Sequence, residues 1–165
     1  GGSGVGKSSV IRSTSPDFLD NVAATLDGNL SSISSAIKSI KEALKNKKTP
    51  RIYYVYRDPE EAFRASIDRG LTNVSEAGRL VPVSVAAQNH PGSHSVIKTL
   101  YKSGFKDFIF MSDNSLGLGK AQPLSIDKFN KISYSQLVPK FKAIAKEYYE
   151  NGKITKKQYE HLIND

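Results

Sequence analysis

Apolar positions along the 165-residue chain follow two periods. Between Ser31 and about Asn46, Ile33, Ile37, Ile40 and Leu44, with Ala36 and Ala43, recur every three or four residues, which predicts an amphipathic helix. Lys45, Lys47 and Lys48 crowd its end, where cations suit the helix dipole. Val83 to Ser103 is predicted helical with an interruption at Pro91-Gly92, because an interior proline removes a backbone hydrogen bond. Leu137, Val138, Phe141, Ile144, Ala145 and Tyr148 mark a further amphipathic helix, Asn151-Gly152 ends it, and Thr155 caps a last helix to about Ile163. Shorter apolar runs read as strands: NVAATL at 21–26, RIYYVY at 51–56, and FIFM within 105–111. Asp58-Pro59-Glu60-Glu61 opens a helix with proline and acids in its first turn. Residues 70–81 and 114–124 read as loops, with Ser112 to Ser115 turning away from the third strand.

Composition narrows the class. Hydrophobic residues make up 38% and charged residues 24%, the balance of a folded domain rather than a disordered chain. No apolar run is long enough to span a bilayer, and nothing resembles a signal peptide, so a cytoplasmic location is expected. The absence of Cys excludes disulfides, thiolate zinc sites and cysteine nucleophiles. The three His are His90, His94 and His161, and the break expected at Pro91-Gly92 separates the first two as metal ligands. A net charge of +8 points to phosphate-bearing partners, but every Arg lies at or before Arg79 and the second half carries only Lys, as solvated helices do. No RRM, zinc-finger or helix-turn-helix signature accompanies the charge, which argues against nucleic acid. Tyr53, Tyr54 and Tyr56, and Tyr148, Tyr149 and Tyr159, are expected to pack rather than stack on bases.

The strongest signal is Gly1-Gly2-Ser3-Gly4-Val5-Gly6-Lys7-Ser8, which fits G-x-x-x-x-G-K-[ST] at every fixed position. Glycines let successive N–H groups face an anion, Lys7 reaches the β and γ phosphates, Ser8 ligates Mg²⁺, and Ser9 completes the nucleotide-binding run from Gly1. A Gly/Ser linker is the bland alternative, yet Val5-Gly6-Lys7-Ser8 followed by Val10-Ile11 reads as loop into helix, closing at about Arg12 before Ser13-Thr14-Ser15-Pro16. Such a loop ordinarily follows a buried strand, so the natural polypeptide is expected to extend N-terminally with a short apolar run.

Strands separated by helices, behind such a loop, predict a P-loop NTPase-type α/β sandwich: a parallel sheet covered by helices, with its first strand missing from this chain. The expected division is a P-loop kinase-like domain at 1–124 and a C-terminal helical pair within 125–165, which either packs on the sheet or binds a partner. Ligands gather at the carboxyl ends of parallel strands. There Asp27 is the candidate to orient the Mg²⁺ water or accept a proton from an attacking hydroxyl, and Arg57-Asp58 and Asp113 end the next strands. Arg64, Arg69 and Arg79 could reach bound phosphates, with Arg64 the best fit to a plain surface residue.

These residues resemble the zeta-toxin family of P-loop kinases, which phosphorylate UDP-N-acetylglucosamine in many bacterial toxin–antitoxin systems. NVAATLDGNL is similar to the family's strand ending in Glu-Gly-Thr, so Asp27 and Asn29 stand where that acid and threonine stand. ASIDRG places Arg69 at the lid-entry arginine and GRLVP places Arg79 at the second lid arginine. TLYKSGFKDFIFMSDNS is similar to the closing helix, strand and base-binding loop, and the likeness covers roughly residues 1–116. It implies catalytic roles for Lys7, Asp27, Arg69 and Arg79, Mg²⁺ held by Ser8 and Asp27, ATP or GTP as cofactor, a small-molecule acceptor, and an antitoxin as partner. Two departures stand out. Only nineteen residues separate Lys7 from Asp27, too few for the family's intervening strand with its general-base Asp, and Asp27 and Asn29 replace Glu and Thr. The alternatives are therefore a catalytically degenerate nucleotide-binding module within a larger phage or mobile-element protein, and, on charge alone, a nucleic-acid-binding or polynucleotide kinase domain.

Overall fold

The computed structural model describes residues 2, 4–14, 22–72, 79–117, 120–128 and 133–164. Its elements are α1 (Lys7–Thr14), α2 (Ile33–Lys45), β1 (Ile52–Tyr56), α3 (Pro59–Thr72), α4 (Val83–Leu100), β2 (Ile109–Asp113), β3 (Gln122–Pro123), α5 (Tyr134–Glu150) and α6 (Lys156–Ile163). The α/β class and most element positions agree with the sequence pattern.

The sheet differs from the expectation of an all-parallel one. β1 and β2 pair in parallel from Ile52↔Ile109 to Tyr56↔Asp113, but β3 returns antiparallel, with Ser112↔Pro123 and Asp113↔Gln122. A parallel neighbour requires a crossover of a dozen or more residues, and the loop after β2 is too short for one. Gly117, at φ 92, donates to the Asn114 carbonyl at 3.0 Å and turns the chain back.

NVAATL forms no strand. Asn21 lies outside the described residues, and Val22 to Leu30 is irregular, with Leu26 78% exposed. Two alanines in a row offer little side-chain area to a pleated surface, so the run gains too little by pairing. α4 runs through Pro91-Gly92 without interruption. Its Ala87, His90, Ser93, His94 and Ile97 are buried, and this packing outweighs the lost hydrogen bond. Gly92 serves contact instead, since a Cβ there would stand 2.7 Å from the Ser31 carbonyl oxygen. α3 extends to Thr72 and takes Gly70 into its last turn, while 73–78 lie outside the described residues. The third strand sits at Ile109–Asp113, later than FIFM, because the chain leaves α4 through a left-handed Gly104 and a tight turn at Lys106–Phe108.

Helix starts follow local chemistry. Asp58 Oδ1 accepts from the Glu60 and Glu61 amides at 3.0 and 3.1 Å, capping α3 ahead of Pro59. Ser133 with Gln136 and Thr155 with Gln158 form reciprocal capping boxes at α5 and α6.

The C-terminal pair packs on helices. Leu137, Phe141, Ile144, Ala145 and Tyr148 of α5, with Ile154 and Leu162, share a core with Phe63, Ile67, Leu80, Val83, Ala86 and Ala87. Phe63 and Phe141 stack at 4.4 Å between ring centroids. A second core joins Ala36 of α2, Tyr54 of β1 and Val96, Ile97 and Leu100 of α4. Among the described residues no helix is long and apolar enough to cross a membrane. Phe141→Ala should lower unfolding free energy by about 3–5 kcal/mol, read as a shift in urea midpoint at unchanged slope; a loss below about 1 kcal/mol would show that α5 is not part of the main core.

Candidate phosphate-binding site

Gly2 and residues 4–6 lie against the ends of β1 and β2 and against α3 and α4. Gly4 and Gly6 have φ values of 76 and 79, a left-handed backbone open to glycine and costly for other residues. Space is equally decisive. A Cβ on Gly2 would stand 2.5–2.7 Å from the His90 ring, one on Gly4 would overlap the Ala62 carbonyl, and one on Gly6 would meet Asn114 Nδ2 at 2.9 Å. Val5 between them is buried with Val10, Val55 and Ala62. α1 then starts at Lys7, and the Val10 amide donates to the Gly6 carbonyl at 2.9 Å.

Two side chains hold the loop from beneath: Arg57, expected only as a strand-end residue, and Asn114, which sequence reasoning leaves without a role in the site. Asn114 Nδ2 donates to the Val5 carbonyl at 2.9 Å, and the Asn114 amide donates to the Tyr56 carbonyl at 2.8 Å, tying the loop to both strand ends. Arg57 Nη1 donates to the Gly4 carbonyl at 3.4 Å and its Nη2 lies 3.9 Å from Glu61. Such bonds turn carbonyls inward and leave neighbouring N–H groups for an anion. Neither role has a sequence signal, since both depend on tertiary register.

Of the residues expected in the site, Gly1 and Ser3 lie outside the described residues. Lys7 Nζ contacts the Gly2 carbonyl at 3.4 Å and Asn29 Oδ1 at 3.5 Å, so the segment after Asp27 borders the loop. Burial pushes the Lys7 pKa down; the Asp27 charge opposes this and the Arg69 charge adds to it. Lys7, Asp27 and Arg69 therefore share one electrostatic neighbourhood. Ser8 is exposed on the first turn of α1, Ser9 is half-buried, and Asp27, Arg69 and Arg79 are exposed. Arg69 and Arg79 belong to neighbouring backbone: a Cβ on Gly70 would stand 3.1 Å from the Arg79 carbonyl oxygen. Arg64 points elsewhere, in a paired contact with Glu147 at 2.9 and 2.7 Å. Asp58 and Asp113 serve local caps, the latter accepting from the Ser115 amide at 2.8 Å.

His90 and His94 face the interior from the unbroken α4. His94 contacts the rings of Tyr54 and Tyr56, and His90 lies edge-on to Phe141. Among the described residues no group of three or more His, Asp or Glu could hold a metal ion. Mg²⁺ at a phosphate loop needs less, because the ion keeps waters and takes phosphate oxygens with one or two protein ligands. The hydroxyl of Ser8 and the carboxylate of Asp27 are hard oxygen donors of that kind.

Burial, reinforced by His94, pushes the His90 pKa down to about 4 from 6.5. The unfolded chain takes up this proton first, so the stability is full above pH 6.5 and is lost as pH falls toward 4, by about 3 kcal/mol. Denaturant titrations at pH 7 and 4.5 should show a steeper loss for the wild type than for His90→Asn; equal losses would contradict the buried neutral imidazole.

The family model described as Zeta toxin matches residues 20–115. No curated protein matches the chain. The match spans Asp27, Asn29, Arg69 and Arg79, while the phosphate loop precedes it and α5 and α6 follow it.

Proposed function

Since the chain belongs to the zeta-toxin family of P-loop, nucleotide-binding, kinase-type proteins, we propose that it binds ATP or GTP with Mg²⁺ and transfers the γ-phosphoryl group to a small-molecule hydroxyl. The observation that carries this reading is the Lys7 amine beside the left-handed Gly4–Gly6 turn. It is held by two long contacts, at 3.4 and 3.5 Å, which a phosphate oxygen can replace. Lys7 and the loop amides would bind the β and γ phosphates, with Ser8 and Asp27 toward the metal. Mg²⁺, when bound, neutralises phosphate charge. In the transfer, the acceptor oxygen bonds to the γ-phosphorus, the bond to the bridging oxygen breaks, and the nucleoside diphosphate leaves. The Asp27 carboxylate would take the hydroxyl proton, and Arg69 and Arg79 would stabilise the equatorial oxygens.

One observation favours a second reading, a nucleotide-binding module without transfer. Asp27 stands on an exposed, irregular segment rather than at a strand end. Antitoxin recognition and a cytoplasmic setting belong to the first reading.

Lys7→Ala should abolish the rise in melting temperature given by Mg²⁺–ATP or Mg²⁺–GTP, and retention of that rise would remove the loop from the site. With radiolabelled nucleotide and a panel of nucleotide sugars, Asp27→Asn should lower transfer about 10²–10⁴-fold. Background transfer by a wild type that binds nucleotide selects the second reading.

A further inference from the structure

α5 and α6 lie beyond the family match, yet they grip the two pieces of chain that carry Arg69 and Arg79. Along α3, Glu60 pairs with Lys140, Arg64 with Glu147, and Asp68 Oδ1 accepts from the Tyr148 hydroxyl at 2.8 Å. Beneath them Phe63 and Ile67 share a core with Phe141, Ile144 and Tyr148. These contacts fix α3 up to the residue before Arg69. On the other side, His161 Nε2 of α6 donates to the Leu80 carbonyl at 3.1 Å, one residue after Arg79, and Leu80 is buried in the same core. Gly70 closes the gap, since a Cβ there would stand 2.9 Å from Leu80 Cδ2. Both arginines are exposed, whereas the residues flanking them on the α5–α6 side are anchored.

We propose that α5 and α6 are a brace that sets Arg69 and Arg79 against the phosphate loop, with Tyr148 and His161 as positioning residues for the transferring phosphoryl group. The inference rests on the kinase reading above. Neither side chain touches nucleotide in this assignment; each acts through the backbone next to an arginine. Binding of the diphosphate depends on the loop and is independent of the brace. Recognition of the γ-phosphoryl in its transfer geometry depends on it.

The test compares affinity for Mg²⁺–ADP with affinity for Mg²⁺–ADP plus aluminium fluoride, which mimics the phosphoryl group in transfer. The variants are Arg69→Ala, the double variant Tyr148→Phe with His161→Phe, which keeps the rings and removes both donors, Asp68→Ala and Asp68→Asn. Arg69→Ala should weaken the fluoride complex about a hundredfold and leave ADP nearly unchanged. The double variant and Asp68→Ala should weaken it about tenfold, again with ADP unchanged. Asp68→Asn, which still accepts from Tyr148, should retain wild-type affinity. If Arg69→Ala has the expected effect and the brace variants do not, the brace is overturned alone. If the brace variants weaken both ligands equally, their role is general stability and the proposal also fails. If wild type and Arg69→Ala do not distinguish the two ligands, the arginine reading fails and takes the brace with it.

Discussion

Gly2, Gly4 and Gly6 of the loop pack where side chains would otherwise stand, and the architecture around them depends on that contact. His90, the Ala62 carbonyl and Asn114 each occupy space that a Cβ would need. α3, α4 and the end of β2 can therefore converge on the loop backbone directly. Bulk at any of the three glycines would separate the loop from its supports, and the left-handed turns at Gly4 and Gly6 add backbone strain to that steric cost.

The same convergence accounts for the electrostatics. His90 is held neutral under the loop because it is buried beside His94 and lies near Lys7. A cation there would compete with Lys7 for anions, whereas a neutral ring supports the loop without charge. Lys7 itself is half-buried between a carbonyl and an amide oxygen, with Asp27 and Arg69 setting opposing charges around it. The basic excess of the chain thus divides: Arg57, Lys7 and Arg69 gather around the loop, while Lys140, Lys146 and Lys156 pair with acids on α3, α5 and α6.

What was legible in the sequence was whatever depends on neighbours along the chain. Apolar spacing located α2 and α5, the Pro-Glu-Glu turn located the start of α3, Thr155 located α6, and the glycine spacing located the loop. Residues 22–26 misled because an apolar run without large side chains looks like a strand but has too little area to stabilise one. Pro91 misled because a proline's local cost was weighed without the buried face that offsets it. Arg57 was legible only as a strand-end residue, His90 only as a weak metal ligand and Asn114 only as part of a turn, since their roles come from strand ends and a helix meeting across distant positions. Among the candidates, Asp27 and Arg69 bear on the charge of Lys7, and Arg64 is drawn instead to Glu147 on α5.

In the proposed function the loop recognises phosphate rather than nucleoside. Calorimetric titration of the folded protein with ATP, ADP and adenosine, each with Mg²⁺, tests it most directly. Phosphate recognition by the loop should give measurable binding of ATP and ADP, and none of adenosine at the same concentrations. Equal affinity for adenosine and ATP would contradict it.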